Sequence, residues 1–237
     1  MEPAYHFHRE NMDEKELVYM WIAELLPLSA TIFSFIFGLM YFFKRGKPLF
    51  LQSITMAMGC HALGSIYQLC LMLTSETALI GFTPAYLGRI GFFLFFIAAS
   101  YGQMDKIVDD GTAATKPSRY IALIAPVCAA LLYIPNAYIF DLPTSTKISV
   151  LLVWLPSLVS VYFNLKHAII PDCDFGFVKA IKPYNILAVG LGFAELLCLT
   201  AWNYHNNLLI VITSVIFSAF CIAIMIAAKK GAEKWTI

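Results

Sequence analysis

Seven stretches of this chain are each long and apolar enough to cross a lipid bilayer, and only short segments connect them. A hydrocarbon core of ~30 Å requires about 20 helical residues. The bilayer offers no water to satisfy backbone polar groups, so each stretch is expected to be a helix. We therefore predict an all-α, polytopic integral membrane protein. The seven predicted spans cover residues 17–43, 48–73, 84–104, 119–140, 147–166, 180–202 and 205–228.

Composition supports this fold class and limits the partners. Hydrophobic residues make up 60% of the 237-residue chain and charged residues 13%, and the mean hydropathy is +0.74. These values lie well outside the range of soluble domains. We predict a polar external segment at 1–16, a membrane domain at 17–228 and a cytoplasmic tail at 229–237. The partners expected are the lipid bilayer and a small-molecule ligand, with a homo-oligomer or a membrane partner protein left open and no nucleic acid.

The distribution of basic residues predicts the orientation. Twelve of the 16 lie in segments that share one side of the membrane. Basic loops face the cytoplasm, so the N-terminus is expected outside and the C-terminus in the cytoplasm, and the protein is expected in the plasma (cytoplasmic) membrane. The twelve residues are Lys44, Arg45, Lys47, Lys106, Lys116, Arg119, Lys166, Lys179, Lys182, Lys229, Lys230 and Lys234.

Two parts of the sequence echo each other. Leu-Pro occurs in spans 1 and 5, at Pro27 and Pro156, and the pattern L-G-x4-L-C-L follows in spans 2 and 6, at Gly64 and Gly192. The spacing predicts two three-helix units joined by span 4, an internal repeat of the form 3+1+3. This layout resembles that of the small SWEET-type sugar carriers, without their sequence signatures. Chance matches among residues common in apolar helices are the alternative.

Polar and charged side chains inside the spans form the candidate site. Charged groups cost roughly 2.5–3.5 kcal/mol each on insertion scales, so each requires a reason to be there. We predict an outward-facing polar pocket in which Arg89 pairs with a glutamate, His61 forms the floor, and Pro27 and Pro156 act as hinges. The alternative for Arg89 is a side chain that reaches the head groups. The predicted ligand-binding residues are Glu24, His61, Gln68, Arg89, Glu195, Trp202, Asn203 and His205.

A second polar group lies toward the predicted cytoplasmic helix ends. It includes Asp105, Asn164 and Asn185, for which helix-end roles near the interface are expected. The acidic run DKIVDDG at 105–111 lacks the ligand spacing of a calcium loop. We interpret that run as a solvated helix end.

The sequence lacks the characteristic residues of several functional classes. The last span has no lysine that could hold retinal, and the histidines are divided among the outside, the mid-membrane region and the inside. The pair His6 and His8 is weak evidence for a metal. No HExxH, GxSxG or phosphate-binding loop motif occurs. We therefore predict neither an enzyme nor a bound metal or cofactor.

Three functions fit these observations. The first is a carrier for a small polar or zwitterionic solute, which the repeat, the paired prolines and the polar groups favour. The second is a seven-helix receptor or sensor that signals through a separate partner. The third is a structural subunit of a membrane complex, in which buried polar residues hold helices together. The carrier is the interpretation that we follow.

Overall fold

The computed structural model describes residues 14–42, 49–74, 82–109, 111–171, 177–204 and 206–235. Within these ranges the fold is helical and contains no strand. Seven of the described helices are long and apolar enough to cross a membrane, which confirms the predicted number and the class of integral membrane protein. They are α1 (Glu14–Phe42), α2 (Leu49–Thr74), α3 (Pro84–Ile97), α4 (Lys116–Ile139), α5 (Thr144–Ile169), α6 (Phe177–Tyr204) and α7 (Asn207–Trp235).

Helices α3 and α4 depart from regular α geometry near one end. Helix α3 continues through a π-helical segment at Ala98–Met104 into a short α-helical turn at Asp105–Val108. Helix α4 is interrupted at Leu123 and ends in a π-helical segment at Pro135–Ile139. Such wide turns are rare and often lie at functional sites. Both segments carry polar residues that contact neighbouring helices.

The helix ends differ modestly from the predicted spans. Helix α7 continues to Trp235, so it includes most of the segment predicted as a tail. The predicted hinge residues Pro27 and Pro156 lie inside the continuous helices α1 and α5. Each proline leaves one backbone carbonyl without its usual intrahelical partner. Both positions are therefore local weak points in long helices, as a hinge requires.

Six of the helices form a closed ring, and α4 lies outside it. Going around the ring, α1 contacts α2, α2 contacts α3, α3 contacts α5, α5 contacts α6, α6 contacts α7, and α7 returns to α1. Helix α4 packs mainly on α5 and also touches α6. We call the end of the bundle at which α1 begins the outer end, and the opposite end the inner end. The interior of the ring is the place where side chains from distant parts of the sequence can meet.

The bundle is apolar on its outside and carries polar groups inside. Large hydrophobic side chains such as Phe33, Leu63 and Ile124 are more than half exposed. Glu24 and Glu195, in contrast, are only 6% and 2% exposed. The apolar outer surface fits a bundle surrounded by lipid.

Glycines bring α2 and α3 into close contact at the level of the candidate site. A Cβ atom added at Gly88 would lie 2.6 Å from the carbonyl oxygen of Cys60 and 2.7 Å from the Cα atom of Gly64. Small residues at such crossings let two membrane helices approach backbone to backbone. Because Arg89 follows Gly88 and His61 follows Cys60, this contact sets the depth at which both side chains enter the interior.

The two glycines of the shared L-G-x4-L-C-L pattern contact different neighbours. Gly64 of α2 faces Ala85 and Gly88 of α3, whereas Gly192 of α6 faces Val161 of α5. In a 3+1+3 repeat, α6 would correspond to α2 and α7 would correspond to α3. This pair of glycines therefore gives no support to the repeat, which stays a prediction.

We expect Gly88→Ala to destabilise the protein by about 1–3 kcal/mol, because the added methyl group has no space between the two backbones. Gly102→Ala is the matched control, since a Cβ atom at Gly102 would meet no atom within 4 Å. Thermal unfolding of both variants in the same detergent measures the difference. Equal stability of the two variants would contradict the close α2–α3 contact.

Candidate functional site

Four charged or titratable side chains from four helices meet in the interior toward the outer end. They are Glu24 of α1, His61 of α2, Arg89 of α3 and Glu195 of α6, which we call the outer cluster. All four line one cavity, and Glu195 lies within direct contact distance of both Arg89 and His61. The sequence predicts this meeting from matched depths alone.

Glu195 is the centre of the outer cluster because it contacts two partners at once. Arg89 Nε donates a hydrogen bond to Glu195 Oε1 over 2.8 Å. His61 Nε2 lies 3.3 Å from Glu195 Oε2. The Glu195 side chain is only 3% exposed, so the carboxylate is held by protein groups and not by solvent. Arg89 therefore pairs with a glutamate of another helix, as predicted, and its Nε points into the bundle.

His61 is positioned by contacts on both sides of its ring. Its Nδ1 lies 3.3 Å from Ser65 Oγ, one helical turn away on α2. The ring stacks on Phe217 with 4.7 Å between centroids and meets Phe92 edge-on at 5.3 Å. These contacts leave the imidazole little freedom to rotate. His61 thus forms the floor of the cavity.

The cavity itself is small. The space open to the centre of a water molecule is about 20 Å³, which is enough for about one water. Its walls are partly charged and partly apolar. They are formed by Ala23, Glu24, Pro27, His61, Ser65, Arg89, Glu195, Cys198, Trp202, Ser214 and Phe217.

The remaining predicted site residues are placed differently. Trp202 lines the cavity, whereas Gln68 lies nearly a full turn beyond Ser65 on α2 and is not part of the lining. Asn203 is directed to α4, where its Nδ2 donates to Asn136 Oδ1 over 2.6 Å. His205 lies outside the described residues. The cavity also includes Ser65, which sequence reasoning missed although it follows His61 by four residues on the same helix face.

Asn136 explains how α4 is attached to the ring. Its Nδ2 donates to Thr200 Oγ1 of α6 over 3.1 Å, and its Oδ1 accepts the hydrogen bond from Asn203. The side chain is fully buried within the π-helical end of α4. Because polar contacts between membrane helices are not weakened by water, this pair of hydrogen bonds fixes α4 against α6. We assign Asn203 to this contact and not to the cavity.

A second charged group, absent from the sequence-based site, lies toward the inner end. We call it the inner cluster, and it joins the end of α3, the start of α4 and the last turn of α5. Its carboxylates and cations are largely buried, with Lys166 only 4% exposed. Its members are Asp105, Asp109, Arg119, Lys166 and His167.

Asp109 holds three elements together. It accepts two hydrogen bonds from Arg119, with Nε at 2.8 Å and Nη2 at 2.6 Å, and its Oδ2 lies 3.1 Å from Lys166 Nζ. Thr115 Oγ1 also donates to it over 2.9 Å. Such two-pronged guanidinium–carboxylate pairs are among the strongest charged contacts in proteins. The hydrogen bonds from Arg119 keep the pKa of Asp109 well below its usual value.

Asp105 contacts the adjacent Lys166 and His167 of α5. Lys166 forms an ion pair with it, and His167 Nε2 lies 2.9 Å from Asp105 Oδ1. Burial raises the pKa of Asp105, but the hydrogen bonds from His167 and Lys166 outweigh burial and lower it overall. A helix does end here, at Val108, but Asp105 and Asp109 are paired and not solvated as predicted. No sequence signal indicates this pairing, because Lys166 lies 57 residues after Asp109.

The helix-end roles predicted for Asn164 and Asn185 are also wrong, since both side chains are fully buried. Asn164 Oδ1 accepts a hydrogen bond from Ser100 Oγ, which lies in the π-helical segment of α3, over 3.0 Å. Asn185 has neither its Oδ1 nor its Nδ2 paired with any described residue, and the Tyr184 hydroxyl is also unpaired there. Polar groups therefore reach from the inner cluster well into the bundle.

Aromatic rings fill the interior between the polar groups of the two ends. Phe92 contacts His61 at 5.3 Å and Phe96 at 4.9 Å between centroids, and Phe96 lies parallel to Tyr184 at 6.4 Å. Phe50 closes the same layer by meeting Tyr184 edge-on at 4.7 Å. We call Phe50, Phe92, Phe96 and Tyr184 the aromatic layer. It separates the floor of the cavity from the polar groups of the inner half.

Among the described residues no group of three or more His, Cys, Asp or Glu side chains is placed to hold a metal ion, and the predicted pair His6 and His8 lies outside them. No protein-family model, curated protein or solved structure matches the chain. No residue therefore takes a role by correspondence with a relative. What the protein does has to be inferred from the chemistry of the two clusters.

We expect Asp109→Asn to lower stability at neutral pH by about 2 kcal/mol, because neutral asparagine replaces a carboxylate that accepts charged hydrogen bonds. The folded pKa of Asp109 is depressed, so its contribution is present above the unfolded pKa of ~3.9 and is lost as pH falls through the folded pKa. The acid-induced loss of stability should therefore be smaller in the variant than in the wild type.

Thermal unfolding between neutral and acidic pH measures both effects, and Asp141→Asn, which changes an exposed carboxylate, is the matched control. An Asp109→Asn variant with wild-type stability at neutral pH would contradict the role of Asp109 in joining the three elements.

Proposed function

We propose that the protein is a membrane carrier for a small polar or zwitterionic solute, and that the outer cluster is its binding site. The observation that carries the proposal is the meeting of Glu24, Arg89 and Glu195, from three helices, at one cavity inside the ring. Intramembrane charges that face a shared cavity are characteristic of solute and ion pathways. Separate positive and negative groups in one cavity match a solute that carries both charges.

Each part of the cavity has a role in this proposal. Arg89 binds the anionic group of the solute, since a guanidinium offers several donors to a carboxylate. Glu24 and Glu195 bind its cationic group. Trp202 and Phe217 supply the apolar wall. Without solute, Arg89 and Glu195 satisfy each other over 2.8 Å, which closes the site.

Solute binding requires the helices to move, because the cavity holds only about one water. Pro27 lines the cavity and lies three residues after Glu24 on α1. A change in bend at Pro27 would move Glu24 away from Arg89 and enlarge the space. Pro156 of α5 is the proposed counterpart on the other side of the ring, and a rocking of two three-helix units is the motion that the predicted repeat would provide.

A second candidate, a seven-helix receptor or sensor, rests on a different observation. The cavity floor is closed by His61 and Phe217, and the aromatic layer lies beneath it. In a sensor, a ligand in the outer cluster would shift these rings and so alter the inner cluster, where a separate partner would bind. In a carrier, the same layer is the inner gate.

Uptake by purified protein in proteoliposomes tests the carrier, with a panel of radiolabelled neutral amino acids and betaines as the probes. We expect Arg89→Gln to reduce uptake by roughly tenfold or more, because a charged hydrogen bond is worth about 1.5–3 kcal/mol. Lys182→Gln removes an exposed cation from α6 and should leave uptake unchanged.

Uptake by Arg89→Gln at the wild-type rate would contradict the proposed site. A ligand that raises the unfolding temperature of the wild type without being taken up would support the sensor. Neither binding nor uptake of any solute would favour the third hypothesis, a structural subunit of a membrane complex.

A further inference from the structure

We propose that Glu24 is a proton-binding site, so that the cavity of the outer cluster exchanges a proton with water. As a coupling mechanism this inference rests on the proposed carrier function, whereas the bound proton can be measured on the purified protein without any solute. The geometry that carries it is a buried carboxyl group on the wall of a small cavity whose nearest cation is already paired.

Counting charges gives the first argument. The outer cluster holds two carboxyl groups and a single guanidinium, and Arg89 cannot neutralise both Glu24 and Glu195. With a neutral His61 the cluster would carry one excess negative charge. An uncompensated charge in a site surrounded by hydrocarbon is costly, and taking up one proton removes it.

The hydrogen bonds decide which carboxyl group takes the proton. Glu195 accepts from Arg89 over 2.8 Å and lies 3.3 Å from His61, so two groups stabilise its ionised form. Glu24 is 6% exposed, and no hydrogen bond joins its carboxyl group to another described residue. Arg89 acts on it only through the longer-range electrostatic interaction. The proton therefore resides on Glu24.

Among the described side chains, the surroundings of Glu24 contain no second cation of permanent charge. Beside Glu195, the titratable groups contributed by α6 and α7 are the thiols of Cys198 and Cys221. His61 faces Glu195 with Nε2 and Ser65 with Nδ1. The titratable and charged groups around the cavity are Glu24 of α1, His61 of α2, Tyr86 and Arg89 of α3, Glu195 and Cys198 of α6, and Cys221 of α7.

The cavity supplies the route for exchange. It has room for about one water beside Glu24, and a change in bend at Pro27 would connect that water to the outside. On opening, the O–H bond of the Glu24 carboxyl group breaks and the proton passes to water. The carboxylate that remains can accept the cationic group of a solute. The bound proton and the bound solute would then exclude each other at Glu24, which is the requirement for coupling.

Infrared spectroscopy of the purified protein in lipid nanodiscs tests the proton directly. The wild type should show the C=O absorption of a protonated carboxyl group at neutral pH, and this band should disappear as the pH is raised. Glu24→Gln keeps the shape of the side chain but removes the carboxyl group, so the band should be lost. Glu233→Gln, which changes a carboxyl group that is about half exposed, should leave the band intact.

Glu24→Asp provides a second variant that keeps the carboxyl group, and it should retain a band at a shifted frequency. A band that persists unchanged in Glu24→Gln, that does not shift in Glu24→Asp, or that is absent from the wild type would overturn the proposal. If the band behaves as expected but no solute is taken up by proteoliposomes, the proton site stands and the carrier function fails. If solute is taken up but the band is absent, the carrier function stands and the proton site fails.

Discussion

The ion pair between Arg89 and Glu195 is the interaction on which the rest of the structure depends. It joins α3 to α6 across the ring, with 2.8 Å between Arg89 Nε and Glu195 Oε1. In a bilayer an unpaired charge has a high free-energy cost, so each of the two charges requires the other to stay inside the bundle. His61 is connected to the same pair, since its Nε2 lies 3.3 Å from the second carboxylate oxygen of Glu195.

Backbone packing places the pair at its depth. The contact between Gly64 and Gly88 brings α2 and α3 together just where His61 and Arg89 leave their helices. Below this level lies the aromatic layer, and the inner cluster ties α3, α4 and α5 together at the other end. The molecule thus has a charged group near each end and a layer of aromatic rings between them.

The sequence is sufficient to predict the helices and part of the outer cluster, for a simple physical reason. A span is specified by its length and apolarity, and a charge inside it is conspicuous, so Glu24, Arg89 and Glu195 can be matched by depth alone. The direction in which a side chain points is not specified in this way. Asn203 lies at a suitable depth, yet it faces Asn136 of α4 and not the cavity.

The inner cluster could not be predicted for a related reason. A basic residue near a helix end usually faces the cytoplasm, so the sequence predicts that Lys166 and Arg119 lie in cytoplasmic segments. Their pairing with Asp109 depends on how α3, α4 and α5 pack. Lys166 and Asp109 are 57 positions apart, and a contact at that separation leaves no periodic pattern in the sequence. Asn164 of α5 contacts Ser100 in the π-helical segment of α3, and the sequence does not specify this contact for the same reason.

A double-mutant cycle on Arg89 and Glu195 tests the central ion pair most directly. Thermal unfolding would be measured for Arg89→Met, Glu195→Met and the double variant in one detergent. Removing either partner alone leaves a buried charge uncompensated, at a cost of about 3–5 kcal/mol, whereas removing both leaves none. The double variant should therefore be more stable than either single variant. If the two losses simply add, the pair is not coupled in the membrane interior and this description of the bundle is wrong.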